Sequence, residues 1–110
     1  MNHDVHDAVS LELARRVASG LREHPDWLDR ARANLERWTR LNNGATSLLR
    51  CYGEWVALLS RPVGEVCRAL VADTEEGRRL RQNSPFAGVL SPAEVWQIKS
   101  QFRRHATRTA

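Results

Sequence analysis

The stretch "RQNSPFAGVLSPAEVW", Arg81 to Trp96, holds Pro85, Gly88 and Pro92 around a run of apolar residues with no helical period. Segments that interrupt helices run over the surface and are usually polar. Here Phe86, Ala87, Val89 and Leu90 make the interruption apolar. A complete helix start follows at once: Ser91 as N-cap, Pro92 at the first helical position and Glu94 at the third. Two readings of the loop stay open. In the first it folds inward, Phe86 and Leu90 fill the gap between the last helix and the rest, and Leu90 staples against Val95. In the second, Phe86 and Val89 anchor a partner inside a ring formed by Arg78, Arg79 and Arg81, because soluble monomers avoid such exposed patches. The inward reading is preferred, and these five residues are also carried as candidate partner contacts.

Outward from this stretch the pattern is helical. Val9, Leu13, Val17 and Leu21, with Ala14 beside them, form one face of a helix over residues 7–23. Trp27, Leu28, Ala31, Leu35, Trp38 and Leu41 recur at three- and four-residue spacings, and "NNG" at 42–44 stops that second helix. Its apolar face is expected to lie on helices one and three. Leu48, Tyr52, Trp55 and Leu59, widened by Leu49, Val56 and Leu58, mark a third helix over 46–60. "SRP" then breaks the chain, since the residue before proline leaves helical geometry. Val63, Val66, Cys67, Leu70 and Val71 give a fourth helix over 62–72. "TEEGRRLRQ" reads as a short fifth, capped by Asp73 and weakened by Gly77. Val95, Trp96, Ile98, Lys99 and Phe102 carry a sixth. The expectation is an all-α fold: one compact domain of five to six short amphipathic helices in an irregular bundle over residues 7–104. Residues 1–6 are expected as a flexible N-terminus and 105–110 as a flexible basic tail.

Composition narrows the function. At 110 residues, 42% hydrophobic and 27% charged, the chain suits one soluble domain. No apolar run reaches membrane-spanning length. The polar, acidic start argues against a secretory signal, and a cytoplasmic location is the default. Cys51 and Cys67 read as small buried hydrophobes rather than a disulfide or zinc ligands. His3 and His6 share a helical spacing without the further ligands a metal needs; His24 and His105 are boundary and tail residues. Glu75 and Glu76 are neighbours that face different ways, and no glycine-rich phosphate loop or GxSxG is present. The chain is therefore expected to be no enzyme and to take no cofactor. The four tryptophans all fall on apolar stripes, with Trp27 expected to be the most exposed.

The net charge of +4 lies entirely in the second half: residues 1–60 balance eight acids with eight bases, and 61–110 hold five acids and nine bases. An anionic partner for that half follows as an expectation. Helix four offers only Arg68 beside Glu65, which argues against it as a DNA-reading helix. Lys99, Arg103 and Arg104 are the better candidates for nucleic-acid contact.

The residues Arg81, Gln82, Ser84 to Pro92, Glu94 and Trp96, preceded by "LARRV" (Leu13–Val17) and "NLERW" (Asn34–Trp38), resemble a pattern of small bacterial helical proteins that are antitoxin-like components of toxin–antitoxin pairs. The resemblance implies neutralisation of a toxin by binding, without catalysis by this chain, and supplies no active-site residues. Three functions follow as expectations: a protein-interaction module of antitoxin type, a DNA-binding transcriptional regulator using the basic half, and a structural homo-oligomer subunit.

Overall fold

Six helices follow one another without a strand among the described residues: α1 (Asn2–Gly20), α2 (Asp26–Leu41), α3 (Thr46–Leu59), α4 (Val63–Leu70), α5 (Glu75–Arg81) and α6 (Pro92–Thr109). The computed structural model describes the backbone of residues 2–109 and the surroundings of the side chains from Val5 to Arg103. The all-α, single-domain expectation holds. The helix bounds differ: α1 begins at Asn2 and α6 runs to Thr109. The side chains of His3, Arg104 and His105 lie outside the described residues.

The apolar stripes build one core. Ala14, Val17 and Leu21 of α1 and its following turn, Ala31 and Leu35 of α2, Cys51, Tyr52, Trp55 and Leu59 of α3, and Val66 and Leu70 of α4 are buried together. At ~1.5–3 kcal/mol per buried large aliphatic or aromatic side chain, this cluster is the main source of stability. The pairing of helices is the expected one in part: the apolar face of α2 lies on α3 as expected, but α1 is not its main second partner. α2 packs on α3, whereas α1 packs on α4, α5 and α6. The second face of α2 is occupied by the 82–90 loop. Leu41, at the last position of α2, is 73% exposed and falls outside the core. Val56 is likewise exposed, on the side of α3 away from Trp55.

α5 is set by a single close approach. Its N-cap is Thr74 rather than Asp73; the Thr74 hydroxyl accepts from the Gly77 N–H at 3.0 Å. Gly77 is buried, and a Cβ there would stand 2.1 Å from the Ala72 carbonyl oxygen. One turn further along α5, Arg81 Nη1 donates to that carbonyl at 2.6 Å and to the Leu70 carbonyl at 3.1 Å. Gly77 thus lets the turn after α4 lie on α5, and Arg81 ties together the Leu70 carbonyl at the end of α4, one of its orphan acceptors, and the Ala72 carbonyl of that turn.

α6 starts as its sequence dictates. The Ser91 hydroxyl accepts from the Glu94 N–H at 3.1 Å, and the Glu94 carboxylate accepts from the Ser91 N–H at 3.3 Å. The reciprocal pair closes a capping box. Val95, Ile98 and Phe102 turn inward, with Ile98 fully buried.

Helix propensity alone ranks Ala above Gly by ~1 kcal/mol, so an open site at position 77 would make Gly77→Ala stabilising. The contact with Ala72 reverses the sign: the substitution is expected to destabilise the fold by ~1–3 kcal/mol, read as a lowered denaturation midpoint.

Candidate functional site

The 82–90 loop faces inward. Pro85 and Phe86 are buried, Phe86 at 5% exposure, while Val89 and Leu90 are half-buried. Phe86 meets Trp55 edge-on, with ring centroids 6.2 Å apart at 80°. The Trp55 indole N–H donates to the Leu80 carbonyl at 3.0 Å, which fixes the end of α5 on the same ring. From the other side, Asn34 of α2 donates its amide to the carbonyls of Pro85 (2.8 Å) and Ala87 (3.2 Å) and accepts from Arg37 at 2.8 Å. Buried loop backbone needs such partners. Gly88 turns the chain at φ +85°, where a Cβ would also press on the Arg30 guanidinium at 3.3 Å. Phe86 is therefore removed from the set of partner contacts; it fills the core. Val89 keeps part of its surface.

The arginine cluster is rearranged as well. Arg81 is 6% exposed and occupied with the Leu70 and Ala72 carbonyls, so it leaves the contact surface. Its burial pulls the guanidinium pKa down from the ordinary value. Arg78 lies 3.5 Å from Asp73. Arg79 bridges Glu76 on its own helix and Glu54 of α3, the latter at 2.7 Å, and hydrogen bonds with Glu76 first and Glu54 second raise its pKa. The two surface arginines are thus paired with carboxylates, and the ring expected around the loop is not an open cationic patch.

What lies open is the outer face of α6. Trp96 is 68% exposed. Lys99 and Arg103 follow it three and seven residues on, and both are exposed; this spacing puts all three on one face. Trp96, Gln97, Ser100 and Arg103 border a shallow hollow of about 250 Å³. Trp27, expected to be the exposed tryptophan, instead lies half-buried over Gly20 and stacks on His24 at 4.6 Å. The signal for Trp96 was present in the sequence: Val95, Ile98 and Phe102 define the inward stripe, and Trp96 falls about 100° off its start. Asn34 gave a fainter signal, as a polar residue within the α2 stripe beside Leu35.

Among the described residues no three His, Cys, Asp or Glu side chains gather as metal ligands. Cys51 and Cys67 are free thiols; burial chiefly pushes the Cys51 pKa up, which keeps it a thiol at neutral pH. No helix among the described residues is long and apolar enough to cross a membrane. No family model, no curated protein and no solved structure matches this chain.

Phe86 and Trp96 separate core from surface in one experiment. Phe86→Ala is expected to cost ~3–5 kcal/mol, whereas Trp96→Ala is expected to leave stability within ~0.5 kcal/mol of the parent. Paired chemical denaturation curves read both.

Proposed function

We propose that the protein is a non-enzymatic interaction module that docks a partner protein on the outer face of α6. The exposure of Trp96 carries this reading. A tryptophan spread on the surface beside Lys99 and Arg103 has the composition of an interface hot spot, where Trp and Arg dominate the binding energy. The complementary partner surface is an apolar hollow rimmed by carboxylates. The capping box and Pro92 fix the start of α6, so the ring stands at a defined place on a rigid element, which lowers the ordering cost of binding. The stretch that resembles antitoxin-like proteins ends on this same residue, and a toxin is accordingly the proposed partner.

The regulator reading draws on Lys99 and Arg103, both exposed on α6, and on Arg104, whose side chain lies outside the described residues. Salt separates the two: a phosphate-bound complex weakens steeply as ionic strength rises, and an anchored apolar interface does not.

The test is co-purification with the product of the adjacent gene. A complex that survives raised salt is expected, with Trp96→Ala weakening it by about 30-fold or more, the ~2 kcal/mol of a hot-spot residue, at an unchanged melting temperature. A complex indifferent to Trp96→Ala would move the interface elsewhere. Dissociation of a homo-oligomer by the same substitution would assign the face to a second copy of the chain.

A further inference from the structure

Two arginines converge on a glycine where α1 meets α4. Arg22 lies in the turn after α1. Gly64 and Arg68 stand four residues apart on α4, and so on one face of that helix. A Cβ on Gly64 would be 3.3 Å from Arg22 Nη2 and 3.7 Å from Arg68 Nη1. Both guanidinium groups therefore reach the same bare stretch of backbone, and both arginines are exposed. Glycine is a poor helix former; its place here keeps the ground between the two cations clear of a side chain.

Two like charges brought to one point repel. A carboxylate between them would relieve this. Among the described residues neither guanidinium has a hydrogen bond, or a carboxylate within 4 Å. Glu65, the acid on this face of α4, is held by Arg61, whose Nε and Nη2 donate to its two oxygens at 2.8 and 3.1 Å. Arg68 reaches Glu65 only through its field. Elsewhere on the surface the fold meets arginine with acid, as in Arg15 with Glu12 and Arg40 with Glu36.

We propose that Arg22 and Arg68 bind a phosphate monoester across Gly64, one oxygen on each guanidinium. The dianion matches the two unpaired charges, and the planar guanidinium fork suits phosphate oxygens. A nucleic-acid backbone carries one charge per phosphate and is met by a track of cations; here the next arginine, Arg61, is occupied by Glu65. Two sources offer a phosphate monoester: a small phosphorylated molecule, and a phosphorylated side chain of a protein. The site draws on no residue of α6 and does not rest on the docking face around Trp96.

The parent protein, labelled with carbon-13 and nitrogen-15, is titrated with ribose 5-phosphate and with acetyl-Gly-phosphoserine-Gly-amide at about pH 7, where a monoester carries close to two charges. Dimethyl phosphate, with one charge, is the control. The Gly64 amide and the Cζ carbons of Arg22 and Arg68 are expected to shift together with at least one monoester, and dimethyl phosphate to bind at least ~10-fold more weakly. Whichever monoester binds more tightly identifies the source. Arg22→Ala and Arg68→Ala are each expected to weaken binding by ~10-fold or more, as loss of a hydrogen bond to a charged group implies. Both side chains are exposed, so the melting temperature is expected to stay unchanged. Arg50→Ala removes the same charge from α3 and is expected to change affinity by less than ~2-fold, because salt screens distant charges. Absence of any shift, equal losses from all three substitutions, or a single-stranded DNA that binds more tightly than either monoester through the same two arginines would overturn the proposal.

Discussion

The contact between the Trp55 indole and the 80–86 segment organises this fold. One ring does two things. Its edge packs on Phe86, and its N–H holds the Leu80 carbonyl. Aromatic pairs in this geometry add ~0.5–1.5 kcal/mol beyond the area they bury; the larger effect is positional. α5 is seven residues long and has no stability of its own. It stays in place because Trp55 holds its end, Gly77 admits Ala72, and Arg81 ties it back to α4. With α5 fixed, the loop can turn inward and find Asn34, and α6 can start where the capping box sets it. The chain between Thr74 and Ser91 is a set of mutually dependent contacts rather than an independent helix and a linker.

The parts of this arrangement that repeat with a period were legible in the sequence. The stripes of α2 and α3 and the Ser91–Glu94 box follow from spacing, and the cost of exposing apolar area favoured the inward turn of Phe86 over a partner-facing one without deciding it. The parts that depend on a single close approach were not. Gly77 looked like a weak point because propensity is local, whereas its partner, the Ala72 carbonyl, belongs to the preceding turn. Arg81 looked like a member of a surface cluster because charge in a sequence carries no sign of burial. Asn34 holds two carbonyls some fifty residues away, which its place beside Leu35 in the α2 stripe signals only faintly. Trp96 was read with the other tryptophans as part of an apolar stripe, while its register against Val95 and Ile98 already pointed outward.

The fate of the arginines governs the functional reading. Each one absorbed by the fold is one fewer for a partner. Arg78, Arg79 and Arg81 serve the links of α5 to Asp73, to α3 and to α4. Lys99 stays exposed on α6, beside its exposed tryptophan.

Hydrogen exchange at the Trp55 indole N–H tests the central claim most directly. If the loop and α5 belong to the core, that proton escapes only when the whole domain unfolds. Its protection free energy is then expected to equal that of the slowest backbone amides of α3, and to fall with denaturant at the same slope. Exchange at the indole that is orders of magnitude faster, while the α3 amides stay protected, would show that the 80–86 segment opens on its own and that Trp55 does not organise the fold.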